Sequence, residues 1–181
     1  MVAALLALAM LLTRSAFRVS VASMNLDLLI QASAVLAVLG TAVVYGTDVF
    51  CAAVLRPALE SVDDGALVSV MGHVHRFGDH RMPVPGVIGI VASAACVALA
   101  AVTAHWAQVF AAVTALALLL AWLALYLRVS APVNRQLTAA ADAGRSLVNG
   151  RALQEKWDHV IGARAVLQGA AVAALCVVLA V

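Results

Sequence analysis

Hydrophobic positions in this chain come in unbroken blocks instead of alternating with polar ones. From Met82 to Leu127 no Asp, Glu, Lys or Arg occurs, and His105-Trp106 interrupts the block near its middle. About 20 apolar residues, rising 1.5 Å each, cross the hydrocarbon core of a bilayer, so this block predicts two membrane-spanning helices joined by a tight turn. Leu28–Thr47 is a further uncharged block, and Ala165–Val181 is another, lengthened upstream by the helix that feeds it. Spans are therefore expected at about residues 28–50, 84–104, 107–128 and 162–181. Continuous Ala/Leu/Val runs lack the two-residue alternation of a barrel strand, which leaves helices. The expected fold class is all-α, a four-transmembrane-helix bundle with amphipathic helical linkers on one face, and residues 25–181 form one integral membrane domain.

Between the blocks the pattern turns amphipathic. Leu67, Val70, Met71, Val74 and Phe77 recur at steps of three and four, predicting a helix from Gly65 through the stretch HVHRFGDHR, residues 73–81. Pro57 is expected to bend or end the first helix at its rim. Asn149-Gly150 reads as a turn and cap from which a helix starting near Arg151 runs to the C-terminus. Met1–Thr13 is apolar but too short to span, and Arg14 and Arg18 follow it, the reverse of the order in a secretory signal. Residues 1–24 are thus expected to be a poorly ordered or interfacial lead, with Met24 as an alternative start.

Composition closes off the soluble alternative. The chain is 65% hydrophobic and 11% charged, against about 45–50% and 25% in soluble domains. The net charge of +2 matters only through its distribution. Arg56, Arg76, Arg81, Arg128, Arg135, Arg145, Arg151, Lys156 and Arg164 fall on the face of the two long linkers, and Arg14 and Arg18 on the other. The positive-inside rule then places the long linkers in the cytoplasm. Trp106 on one side, and Tyr126 and Trp157 on the other, sit where an interfacial aromatic belt is expected. Cys51, Cys96 and Cys176 are widely separated and read as small apolar packers. No phosphate loop, nucleophile elbow, haem motif or nucleic-acid-binding pattern occurs, so the bilayer is the expected partner and nucleic acid is not. A transporter is disfavoured by the absence of an inverted repeat and of charge near the middle of any span.

Polar residues gather at one end of the bundle. Thr41, Tyr45 and Asp48 share a helix face, and Asp48 lies at or just inside the membrane boundary, where a carboxylate needs a partner. Arg56 and Arg164 are the candidates for it. Trp157, Ile161, Arg164 and Gln168 form a second stripe at steps of four, three and four. The bland account of Trp157 is a belt anchor and the sharper one an aromatic wall of a ligand pocket. In HVHRFGDHR, His75 and Asp79 stand at i and i+4 and could share a metal or a hydrogen bond. A metal would need a third ligand such as His159 or Asp158, so His75, Asp79 and His159 are weak metal candidates and no metal is expected.

Several of these features together resemble the anthrone-oxygenase-like integral membrane proteins: four spans, Arg56-Pro57 at the rim of the first, Pro132-Val133-Asn134 with Leu137 after the third, and Trp157 followed seven residues later by Arg164 entering the fourth. The likeness covers about residues 25–181, with Asn134, Trp157 and Arg164 its most specific matches. One position departs, since the family commonly has a histidine four residues after that tryptophan and this chain has Ile161. The resemblance implies a cofactor-independent oxygenase that acts on a small aromatic, polyketide-like substrate with molecular oxygen. On that basis Asp48, Asn134 and Arg164 are the expected catalytic residues: Asp48, or a histidine of residues 73–80, as the base, and Arg164 with Asn134 as the stabilisers of an oxyanion. Tyr45, Arg56, Trp157 and Gln168 are expected to bind ligand. The alternative is a non-enzymatic membrane bundle that binds a small ligand or docks a partner protein through its charged face.

Overall fold

The computed structural model describes residues 24–181, together with the helical backbone from Val2. Of the lead expected over residues 1–24, only the helical backbone from Val2 and the side chain of Met24 are described. Those described are helical, joined by short turns: α1 (Val2–Phe50), a π segment π1 (Cys51–Leu55), α2 (Arg56–Glu60), α3 (Asp64–Arg81), α4 (Pro83–Val102), α5 (Trp106–Leu125), a second π segment π2 (Tyr126–Ser130), α6 (Ala131–Asp142) and α7 (Gly150–Ala180). Four stretches are long and apolar enough to cross a membrane: Met24–Glu60, Pro83–Val102, Trp106–Asp142 and Gly150–Ala180.

The linkers are less separate from the spans than their amphipathic texture suggests. α1 passes through π1 into α2, and α5 passes through π2 into α6, without a break in helical structure. Both π segments have the same cause. Pro57 and Pro132 cannot donate to the carbonyl four residues back. The residue before each bonds five residues back instead, Arg56 N–H to the Cys51 carbonyl and Ala131 N–H to the Tyr126 carbonyl. Pro57 therefore widens the helix without ending it, and the chain turns only after Glu60. α3, capped by the Asp63 carboxylate on Ala66 N–H at 2.8 Å, runs into α4 across Met82-Pro83 alone.

α1, α4, α5 and α7 pack as a ring, α1 against α4 and α7, and α5 against α4 and α7, while α3 and α6 pack together beyond one end of it. At the far end two layers of small side chains close the interior, Ile30, Ala34, Cys96, Ala100, Ala112 and Val178, then Ala37, Ala92, Ala115, Leu119, Ala171 and Leu175. Gly40 and Gly89 bring α1 and α4 together. A Cβ on Gly40 would stand 2.7 Å from the Pro85 carbonyl oxygen and 2.8 Å from Gly89 N. The buried face of α3 is Leu67, Val68, Met71, Gly72 and His75, whereas Val70, Val74 and Phe77 are exposed. Only part of the expected apolar stripe faces the core.

Candidate functional site

Charged side chains enter the bundle interior at one level, above the two alanine-rich layers. Asp48 and Arg164 are 3% and 5% exposed. Arg164 Nη2 donates to Asp48 Oδ1 at 2.8 Å and Nη1 to Ser130 Oγ at 2.8 Å. Asp48 Oδ2 accepts from Gln168 Nε2 at 2.6 Å and from Trp122 Nε1 at 3.3 Å. The side chains of α5 and α7 that donate to this carboxylate, and the π2 hydroxyl that accepts from its arginine, thus lie on inward faces. An ion pair taken out of water persists only with such additional hydrogen bonds. The rings of Tyr126, Trp157 and Trp122 surround the guanidinium, with Arg164 Cζ 5.6, 5.7 and 5.9 Å from their centroids. Three quadrupole faces around one planar cation fix its orientation as well as its charge.

Next to this pair a cavity of about 200 Å3 is lined by residues of α1, α3, α4, α5, α6 and α7. Its walls are mostly apolar, among them Val44, Met71, Met82, Ile90 and Leu123. Asp48, His75, Asp79, Trp122, Tyr126, Asn134, Trp157 and Arg164 supply the polar and aromatic part. Asp79 Oδ1 accepts from Asn134 Nδ2 at 2.8 Å and from Tyr126 Oη at 2.9 Å. The ring of His75 lies 5.4 Å from that of Trp157. Burial pushes the His75 imidazole down to about 4, and nearby Arg164 acts in the same direction against the opposing charge of Asp79. His75 is therefore neutral at physiological pH, with a lone pair to offer.

Four buried polar atoms of these lining residues have no hydrogen-bond partner: His75 Nε2, Asn134 Oδ1, Trp157 Nε1 and Arg164 Nε. Buried polar groups are ordinarily satisfied, because an orphaned one costs about 1–3 kcal/mol. Two of these atoms donate (Trp157, Arg164) and one accepts (Asn134 Oδ1, its amide nitrogen being committed to a carboxylate). The neutral imidazole does either. Together the four residues hold two unpaired donors, one unpaired acceptor and one nitrogen that can serve as either.

The expected site residues divide. Asp48, Asn134, Trp157 and Arg164 meet at this cavity, and Gln168 stands behind it on Asp48. Trp157 is 5% exposed and no belt anchor. Tyr45 is not a lining residue, and its ring packs where a side chain on Gly169 would be. Arg56 turns outward to Glu60 at 3.8 Å and leaves Asp48 to Arg164. Among the described residues no group of three or more His, Cys, Asp or Glu side chains is placed to hold a metal ion. The weak metal candidates are separated: His75 and Asp79 line the cavity, while His159 and Asp158 line a different, more polar cleft with Arg56 and Arg151. Sequence reasoning missed Trp122, Ser130 and the Tyr126–Asp79–Asn134 cluster. Their signal was a spacing of four from Trp122 through Tyr126 and Ser130 to Asn134. Compared with family models, curated proteins and solved structures, the chain matches none.

Proposed function

We propose that the chain is a multi-pass membrane protein, its four long helices spanning the bilayer and its α3–α6 end in the cytoplasm, and that its cavity binds and oxygenates a small hydroxylated aromatic ketone. The observation that carries this reading is that four residues lining one apolar cavity, His75, Asn134, Trp157 and Arg164, each hold a buried polar atom without a partner. A docking module needs no such interior. Convergence of Asp48, Asn134 and Arg164 on one cavity supports a ligand site, and the alanine layers beneath it leave no polar route onward through the bundle. The resemblance to anthrone oxygenases supplies the chemistry: a ring methylene and O2 give a ring carbonyl and one water.

The geometry redistributes the expected roles. Asp48 has both oxygens occupied by three donors and is better suited to holding Arg164 than to taking a proton. His75 Nε2 is free and becomes the base. It removes a proton from the methylene, and Trp157 Nε1–H and Arg164 Nε–H stabilise the oxyanion that forms, by conjugation, on the carbonyl across the central ring. Asn134 presents Oδ1, so it accepts a phenolic hydroxyl and does not itself stabilise the anion. The carbanion adds O2 to give a carbon-bound hydroperoxide with the proton returned from His75. Loss of water from the CH–OOH group leaves the ketone.

The test is oxygen uptake by the purified protein in lipid nanodiscs with 1,8-dihydroxyanthrone, the quinone being followed by its absorbance. His75→Ala is expected to lower turnover by about 100-fold or more while retaining quenching of Trp122 and Trp157 fluorescence by the substrate. Turnover equal to wild type in that variant would remove His75 from the mechanism. Quenching without any uptake in the wild-type protein would reduce the function to ligand binding.

A further inference from the structure

The cavity is not sealed on all sides, and the position of its opening bears on how a ligand arrives. α1 packs on α4 through Pro85, Ile88 and Gly89. Pro83, Val87 and Ile90, all cavity-lining, lie at successive steps of four and three along the other side of α4. Facing them across the cavity are α5, which contributes Leu123, and π2, which contributes Tyr126. Val87 is 57% exposed while lining the cavity, so it borders interior and exterior at once. Pro83 is exposed and Leu123 half-buried.

The depth of this gap decides what it opens onto. No charged residue occurs between Arg81 and Arg128, so Val87 and Leu123 each lie about 7 Å of helix rise inside the uncharged segment. Hydrocarbon surrounds a spanning bundle at that level. A gap with three apolar rim residues would admit lipid-dissolved molecules and discourage ions.

We propose that the cavity takes its ligand laterally from the lipid phase through a mouth between α4 and α5 rimmed by Pro83, Val87 and Leu123, so that the ligand is an uncharged, membrane-partitioned amphiphile whose apolar body enters with it. This rests on the cavity being a ligand site, and adds the route and the solubility class of the ligand. An aromatic body passes the apolar rim and its oxygens then meet His75, Asn134, Trp157 and Arg164. The competing route runs from the aqueous end past Val74 and Gly78, which line the cavity along α3.

Two measurements test the mouth, one without ligand. In a Trp106→Phe background, vesicles of phosphatidylcholine brominated in the acyl chain report on Trp122 and Trp157, which are 7% and 5% exposed. Quenching is expected, and Val87→Phe together with Leu123→Phe should lower it by half or more. Val91→Phe, on a lipid-facing residue away from the cavity, should not. Quenching that the mouth variants leave unchanged would overturn the lateral route whether or not the cavity binds anything. With 1,8-dihydroxyanthrone as probe, Val87→Phe should slow association about tenfold, and occupancy at equilibrium should follow the probe's mole fraction in the lipid. Slowing by Val74→Phe instead would move the entrance to the aqueous end. No association of the probe with the wild-type protein, alongside intact acyl-chain quenching, would count against the substrate reading and leave the mouth standing.

Discussion

At the scale of single residues, Arg164 is the position on which most of the interior depends. Arg164→Ala leaves Asp48 buried with Gln168 and Trp122 as its remaining donors and no cation, a change expected to cost about 3–5 kcal/mol. A thermal melt in detergent micelles should show it as a large loss of stability. Asp48→Asn leaves the Arg164 cation buried without its counter-charge and turns one accepting oxygen into a donor among donors, so its loss should be comparable, and a melt unchanged in either variant would argue against the ion pair. His75 makes a prediction of opposite character. Its pKa is lowered to about 4 in the folded protein from 6.5 in the unfolded chain, so the unfolded state binds a proton that the native state refuses. The native state is therefore most favoured above pH 6.5 and loses stability as pH falls towards 4, by about 3 kcal/mol over that window. The charged groups acting on the imidazole are Asp79 and Arg164, and both are retained in His75→Leu. Melts of that variant should lose less stability between pH 6.5 and 4 than the wild type does; an unchanged profile would assign the dependence elsewhere. Much of this layer was legible in the sequence. A carboxylate at Asp48 demanded a cation, and the stripe Trp157, Ile161, Arg164, Gln168 is buried along its whole length. Which cation answered Asp48 was not legible, because Arg56 and Arg164 lay at similar depth and only packing separates them.

Elements explain what single-residue reading missed. On a plain α-helix a step of four over-rotates by about 40°, so three such steps from Trp122 would carry Asn134 about 120° off the cavity. The wider turn of π2 subtracts from that drift and keeps Trp122, Tyr126, Ser130 and Asn134 facing inward. The proline that creates π2 is visible in the sequence, but its rotational effect is not, and so Tyr126 read as a belt residue. The same limit misassigned α3, whose apolar positions divide between a buried face at Leu67 and Met71 and an exposed one at Val70, Val74 and Phe77. The contact between α1 and α4 is a close joint between elements. Gly40→Ala would set a methyl group against the backbone of both Pro85 and Gly89. Neither backbone can rotate aside as a side chain would, so the helices must part, at about 1–3 kcal/mol. Gly46→Ala, on the same helix with open space around it, is the control and should melt as the wild type does. Equal melting of both variants would show that the two helices are not held in this close approach.

For the whole molecule, orientation follows from which cations are free to set it. Several of the arginines on the α3–α6 end are engaged: Arg76 with Asp142 at 3.0 Å, Arg151 with Asp64 at 2.7 Å, Arg56 with Glu60 at 3.8 Å, and Arg164 with Asp48 inside the bundle. If the excess of positive charge were only the structural complement of those acids, it would say little about topology. Among the described residues Arg81, Arg128, Arg135, Arg145 and Lys156 take part in no ion pair, so a basic excess remains at this end after the paired residues are discounted. The opposite end offers His105, near Asp27 at 3.7 Å, and exposed Trp106. The positive-inside rule acts on Lys and Arg close to the ends of the spans, and Arg81 and Arg128 directly flank the uncharged block. A cysteine introduced at exposed Arg145 should then be shielded from a membrane-impermeant maleimide in intact cells and become reactive on lysis, whereas one at Trp106 should react in both. Of the native thiols, Cys51 and Cys96 are buried and should stay silent, and exposed Cys176 would be replaced by serine to remove its background. The reverse labelling pattern would put the α3–α6 end outside the cell. It would not bear on the proposed lateral route, which turns on how far along their helices Val87 and Leu123 lie and not on which leaflet they would occupy.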